Sequence, residues 1–142
     1  MTVPVHIGFT GTRKGLTLPQ RKALKTTMSS IAGGYFHHGD CVGADEQACE
    51  VAREIGWSLI CHPPFEDALR AHVPSAVVHL PLPYLTRNRM IVDVSSRLIV
   101  CPAGTLEERR SGTWSTARYG RRQNKPIIIV WPTGRVTFEP EG

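Results

Sequence analysis

Two Gly-Thr pairs lie within residues 103–116, AGTLEERRSGTWST. Gly104-Thr105 is followed by Glu107-Glu108, whereas Gly112-Thr113 is followed by no carboxylate before residue 126. Either pair could open a helix, whose first N–H groups have no intrahelical partner and bind phosphate. A neighbouring carboxylate would add the charge that stabilises an oxocarbenium-like centre during N-glycosidic cleavage. The pair that faces the ligand therefore decides between a hydrolase and a binding protein.

A glycine-containing turn, Gly11-Thr12-Arg13, follows the apolar run Val3 to Phe9. Backbone N–H groups and the Thr12 hydroxyl of such a turn can surround an anion that Arg13 neutralises. The alternative is a turn with a basic tip, and the full G-x-G-x-x-G dinucleotide pattern is absent.

The stretch His38 to Asp45 places Gly39 and Gly43 around Asp40. We predict that Asp40, at the loop tip, accepts hydrogen bonds from ribose hydroxyls or a base edge. Asp45 is interpreted as a first-turn residue that interacts favourably with the helix dipole.

Arg87-Asn88-Arg89 stands at the predicted start of another helix. Guanidinium groups beside the unpaired N–H groups of a helix start can bind a phosphate. The alternative interpretation is that both arginines form salt bridges at the surface.

Short apolar runs alternate with helical periodicities, which predicts the α/β class. A mostly parallel sheet of about five strands, with helices on both faces, follows from this order. The predicted strands are Val3–Phe9, Tyr35–His38, Trp57–Cys61, Leu98–Cys101 and Pro126–Trp131. The predicted helices are Thr17–Ile31, which begins with a capping box, and Ala44–Ile55, Tyr84–Ser96 and Gly112–Gln123.

Three loops should meet beyond the carboxyl ends of these strands, where parallel sheets bind ligands. They are Thr10–Gly15, Gly39–Gly43 and Ala103–Thr113. Residues 62–83 lack periodicity and are interpreted as an ordered excursion or a lid, and the tail after Pro132 as loose. We expect one domain, residues 1–142.

Composition limits the class of partner. The formal net charge of +5 and pI of about 9.3 favour anionic partners. The longest apolar runs are too short to span a membrane, so we expect no membrane partner and a cytoplasmic location.

The four cysteines form no C-x-x-C pair and are expected to be reduced. His37 and His38 beside Cys41 are the best metal candidates, but adjacent strand residues point to opposite faces. We therefore predict no metal and no cofactor.

Four segments together resemble the SLOG superfamily, which joins the DNA-processing protein DprA with the Lonely Guy phosphoribohydrolases. They are Gly8–Arg13, His38–Asp45, Arg87–Ile91 and Ser111–Arg118. The last two are similar to the R-N-R-x-I and S-G-[ST]-x-x-T-A-R patterns of DprA, and the whole to small stand-alone members related to YspA and YpsA. The resemblance implies a Rossmann-like three-layer sandwich that binds nucleotides.

The resemblance also bears on the two Gly-Thr pairs. Lonely Guy enzymes carry P-G-G-x-G-T-x-x-E, whose glutamate is catalytic and is assisted by an arginine on the preceding helix. Matching Gly104-Thr105 makes Glu108 that carboxylate, but Pro102-Ala103 lacks the double glycine. Matching Gly112-Thr113, which we favour, puts Thr116 in its place.

Three hypotheses follow from these residues. The leading one is a sensor or carrier that binds a nucleotide or nucleotide-derived small molecule. The second is a phosphoribohydrolase that uses Arg87 or Arg89 with Glu108 or Asp40. The third is a DprA-like single-stranded nucleic-acid binder with Trp114 and Tyr119 as stacking surfaces. Lonely Guy relatives are dimers or larger, which implies a homo-oligomer. The candidate ligand-binding residues are Gly11, Thr12, Arg13, Gly39, Asp40, Gly43, Arg87, Asn88, Arg89, Ser111, Gly112, Thr113 and Thr116.

Overall fold

A computed structural model describes residues 3–141 of the chain. The helices are α1 Leu18–Ser30, α2 Ala44–Glu54, α3 Tyr84–Asp93 and α4 Gly112–Arg122. The strands are β1 Val5–Gly11, β2 Gly34–His38, β3 Ser58–Cys61, β4 Val77–Val78, β5 Arg97–Cys101, β6 Ile127–Val130 and β7 Val136–Glu139. One sheet contains all seven strands in the order β4-β3-β2-β1-β5-β6-β7. Only the β6–β7 pair is antiparallel among these strands.

The helices cover both faces of the sheet. Side chains of α1 and α2 pack with Ile7, Phe9 and Phe36 in one buried cluster. Side chains of α3 and α4 pack with Leu98 and Val100 in a second. Alternation along β5 separates these clusters, because successive strand residues point to opposite faces. The α/β class and the mostly parallel, Rossmann-like sheet are confirmed.

The sheet has seven strands rather than the five that we expected. β4 is only two residues long and lies in a proline-rich segment, so it has no periodicity to detect. β7 lies in the tail predicted to be loose, and that prediction is wrong. The Arg121 guanidinium donates to both carboxylate oxygens of Glu139 at 2.7 and 2.9 Å, and the Trp131 indole donates to Thr137 Oγ1 at 2.9 Å.

The predicted capping box of α1 is present and also organises the sheet edge. Thr17 Oγ1 accepts from the Gln20 N–H, and Gln20 Oε1 accepts from the Thr17 N–H. Gln20 is buried, and its Nε2 donates to the carbonyls of Pro102 and Val130 at 3.0 and 2.8 Å. One side chain therefore connects α1 to the segments that leave β5 and β6.

Residues 62–83 are ordered, as predicted. They contain β4 and a 3-10 turn, Asp67–Leu69, and they pair locally with Cys41 and with each other. Within residues 3–141, no helix is long and apolar enough to cross a membrane. All four cysteines are buried free thiols.

Candidate functional site

A cleft of about 450 Å³ opens at the carboxyl edge of the sheet. The strand order reverses between β1 and β5, and open parallel sheets place ligand sites at such a reversal. The walls come from the loops after β1, β2 and β5 and from one face of α3. The three predicted loops therefore meet at one cleft.

The β1 loop forms one wall, with Gly11, Thr12, Arg13 and Lys14. Thr12 Oγ1 accepts from the Lys14 N–H at 3.1 Å, and the Thr12 carbonyl accepts from the Ala44 N–H at 3.0 Å. These bonds connect the loop to the start of α2. The turn is thereby fixed in shape while the Arg13 and Lys14 side chains remain exposed.

The N-terminus of α4 forms the opposite wall, with Ser111, Gly112 and Thr113. Ser111 is the N-cap, and its hydroxyl accepts from the Trp114 N–H at 3.2 Å. The Tyr84 hydroxyl lies against Gly112, where an added Cβ would approach it to 2.4 Å. Of the two Gly-Thr pairs, only Gly112-Thr113 lines the cleft.

Arg87 and Asn88 line the cleft, but Arg89 does not. Arg87 is buried and donates to the carbonyls of Gly39 and His62 and to Asn88 Oδ1. It thus joins the ends of β2 and β3 beneath the cleft. Arg89 is exposed, and its guanidinium lies 5.2 Å from the centre of the Tyr119 ring. The predicted Arg87-Asn88-Arg89 set is therefore divided between two faces of α3.

Asp40 lies outside the cleft, contrary to the expectation that its carboxylate faces a ribose or a base. Its side chain is fully buried. One oxygen accepts from Arg70 Nε at 2.8 Å, and the other accepts from the Val73 N–H at 2.8 Å. Asp40 therefore holds residues 70–73 against the sheet and is not available to a ligand.

Asp45 is the cleft carboxylate that the sequence interpretation missed. It is buried, and Oδ2 accepts from the Cys41 N–H at 3.2 Å. Burial raises the pKa of Asp45 to about 6, although the Arg87 charge lowers it. The available sequence signal was its position in the first turn of the predicted helix, directly after the glycine loop of residues 39–43.

Tyr84 is a second missed cleft residue. It precedes Arg87 by three residues, a spacing that places both side chains on one helix face. The guanidinium carbons of Arg13 and Arg87 lie 5.4 and 5.0 Å from its ring centre. A cation over an aromatic face is attracted by the ring quadrupole, so Tyr84 connects the two arginines.

Two other candidates, Gly43 and Thr116, do not line the cleft, contrary to the prediction. Gly43 lies behind the β1 loop, where an added Cβ would approach the Arg13 carbonyl oxygen to 2.3 Å. Thr116 is buried in α4, and its hydroxyl donates to the Gly112 carbonyl at 3.0 Å. Trp114 lines the cleft but is 2% exposed and packs against Trp131, so it offers no free face for base stacking.

Glu108 lines the cleft although Gly104-Thr105 does not. Arg118 fixes its segment, because it donates to the carbonyls of Glu108 and Arg109 and pairs with the Glu107 carboxylate. A carboxylate is therefore present near the α4 N-terminus, as the hydrolase hypothesis requires.

Among the described residues, one buried group of potential metal ligands consists of His38, Asp40 and Cys61. His38 Nδ1 accepts from the Asp40 N–H, and Nε2 lies 2.9 Å from Ser75 Oγ. Because Asp40 is also paired with Arg70, two of the three residues already have protein partners. The predicted candidates His37 and Cys41 do not belong to this group.

The solved structures similar to this chain share its architecture. The molybdenum cofactor binding protein from Rippkaea orientalis matches with a TM-score of 0.69 and 22% identity, over 92% of this chain and 78% of that protein. The molybdenum cofactor carrier protein from Chlamydomonas reinhardtii matches with a TM-score of 0.62 and 18% identity, over 90% and 76%. DprA from Helicobacter pylori, which binds single-stranded DNA, matches with a TM-score of 0.60 and 19% identity, over 89% and 65%.

The chain therefore shares the mostly parallel, Rossmann-like fold of these proteins. No protein-family model and no curated protein matched the chain. At these identities the likeness shows the fold alone. The site must therefore be interpreted from its own residues.

We expect sulfate binding in this cleft to depend on the protonation of Asp45. Sulfate affinity is expected to fall as the pH rises through about 6, since ionised Asp45 repels the anion. At an effective dielectric constant near 20 the penalty is about 1–3 kcal/mol. Calorimetric titration with sulfate from pH 5 to 8 measures this, because sulfate remains a dianion throughout. Asp45→Asn should flatten the profile and tighten binding at pH 8, whereas Glu46→Gln, an exposed neighbour, should retain it. A flat wild-type profile would contradict the coupling.

Proposed function

We propose that the protein binds a nucleotide or nucleotide-derived ligand, as a sensor or carrier, with the ligand phosphate between the β1 loop and the N-terminus of α4. The observation that carries this proposal is the convergence of Gly11–Arg13 and Ser111–Thr113 on one cleft. Helix-opening N–H groups, hydroxyls and guanidinium groups are the usual phosphate ligands. Structural relatives named as cofactor carriers or DNA-binding proteins are consistent with such a site.

The test compares Arg13 with Arg89. Arg13→Ala should weaken AMP binding by about 1.5–3 kcal/mol, the contribution of a charge-assisted hydrogen bond. Arg89→Ala removes the same charge from outside the cleft and should leave the AMP affinity unchanged. Calorimetry on both variants measures the difference. Equal affinities for wild type and Arg13→Ala would exclude the β1 loop from the site. Arg87 is less suited to this test, because its loss removes the guanidinium donor from two buried carbonyls.

A phosphoribohydrolase is the second candidate, and the position of Glu108 in the cleft favours it. The proposed binding function predicts negligible release of adenine from AMP and no change in Glu108→Gln, because Thr116 occupies the corresponding position after Gly112-Thr113. The hydrolase hypothesis predicts release that falls by about 10²–10³ in the variant. Chromatography of free base from both proteins at equal concentration distinguishes the two. Robust turnover that depends on Glu108 would replace the binding function with catalysis.

A further inference from the structure

A second cavity, of about 430 Å³, adjoins the cleft. It is formed by the first residues of the 62–83 excursion and by the start of α3. Arg13 and Tyr84 line both spaces, so the two cavities adjoin at these side chains. Each volume falls within the range of ordinary small-molecule sites.

The walls of the second cavity differ from those of the cleft. They are mainly apolar, formed by Pro64, Phe65, Leu69 and Pro83. Phe65 is 67% exposed, which leaves most of its ring free to contact a ligand. Aromatic rings that face such a space are stacking surfaces for planar heterocycles. The cavity therefore suits a flat ring rather than a phosphate.

Tyr84 marks the boundary between the two spaces. Its ring lies near the guanidinium groups of Arg13 and Arg87, and its hydroxyl lies against Gly112 at the α4 N-terminus. A ligand phosphate at that terminus is thus adjacent to the Tyr84 ring. A group attached to the phosphate through a sugar can pass Tyr84 into the second cavity.

Glu66 is the one carboxylate among the described residues that line the second cavity. An ionised carboxylate accepts hydrogen bonds and donates none. A guanine-type edge offers two adjacent N–H donors, N1–H and the 2-amino group, which match its two oxygens. Adenine has an acceptor at N1 and no 2-amino group. The chemistry of this wall therefore favours the guanine-type edge.

We propose that a single ligand occupies both cavities: its phosphate lies in the cleft, and a guanine-type heterocycle lies between Phe65 and Tyr84 with its N–H edge at Glu66. This inference rests on the proposed binding function and adds the class of heterocycle. The excursion of residues 62–83 then serves as the base-recognition segment.

The experiment titrates the protein with GMP, AMP and ribose 5-phosphate, the last of which fills only the cleft. GMP should bind at least tenfold more tightly than ribose 5-phosphate and severalfold more tightly than AMP. Phe65→Ala should lower the affinity for GMP about tenfold without changing that for ribose 5-phosphate. Glu66→Gln should remove the preference for GMP over AMP. Asp67→Asn changes a neighbouring carboxylate that does not line the cavity and should behave as wild type.

The outcomes separate this inference from the function on which it rests. If all three compounds bind but GMP is no tighter than AMP or ribose 5-phosphate, the heterocycle assignment is overturned and the phosphate site stands. An unchanged GMP affinity in Phe65→Ala would also overturn the assignment. If none of the three binds to wild-type protein, both proposals fail.

Discussion

Acidification from pH 6 to 4.5 is expected to remove several kcal/mol from the free energy of unfolding. Three buried histidines cause this loss. Burial lowers the pKa of His37 and of His38 to about 4 each, and that of His62 to about 3. His37 accepts or donates at both ring nitrogens, at 2.8 Å from His6 Nδ1 and 2.8 Å from His62 Nε2. A proton added to this chain of rings has little solvent to stabilise it.

The sign follows from the protons bound in each state. Between pH 6 and about 4 the unfolded histidines are protonated and the folded ones are neutral, so stability falls as the pH falls. Asp45 acts in the opposite sense, since burial raises its folded pKa to about 6, above the ordinary value of 3.8. Three histidine protons less one carboxyl proton leave a net uptake of two on unfolding. That corresponds to about 2.7 kcal/mol per pH unit.

Urea unfolding at pH 7, 6, 5 and 4.5 measures this slope. His62→Gln should reduce it by about 1.4 kcal/mol per pH unit, one proton's contribution. His72 is exposed and outside the ring chain, so His72→Gln should leave the slope unchanged. Wild-type stability that stays constant down to pH 4.5 would contradict neutral, buried rings.

Gly43→Ala is expected to destabilise the protein by at least ~3 kcal/mol, because it combines backbone strain with an unavoidable clash. Gly43 has φ +93°, where side chains are strained, and an added Cβ would approach the Arg13 carbonyl oxygen to 2.3 Å. The backbone segments at Arg13 and Gly43 cannot move apart without loss of a hydrogen bond, since the adjacent Ala44 N–H donates to the Thr12 carbonyl. The β1 loop should therefore shift, and sulfate binding should be lost with it.

Gly56→Ala is the matched control. Gly56 has φ +87°, but an added Cβ would meet nothing within 4 Å. Strain alone should cost about 1–2 kcal/mol and leave sulfate binding intact. Thermal unfolding and sulfate titration of both variants test the contrast. Equal losses in the two would show that close packing of Gly43 against the β1 loop is unimportant.

The order of elements was predictable because its signals are local. Apolar runs, the Thr17 capping box and glycines after helices are each readable over a few residues, and every predicted strand and helix lies within three residues of its observed bounds. The meeting of three loops at one edge was predictable from the same order of elements, since the carboxyl ends of parallel strands lie on one side of the sheet. The exceptions are β4 and β7. A two-residue strand has no period, and β7 is held in part by Arg121, which lies 18 residues before its partner Glu139 in the sequence.

The role of each polar side chain was decided by tertiary packing. From the sequence Asp40 looked accessible, but residues 70–73 cover it. Asp45 lies in the first turn of α2, as expected, and in addition lines the cleft beside Arg87. The sequence did not distinguish Arg87 from Arg89. Packing of α3 against the sheet turns Arg87 toward the cleft and leaves Arg89 exposed. Sequence alone thus determined the fold class and the edge that carries the site. Long-range contacts, which no local pattern encodes, decided which charges face the ligand and which support the loops.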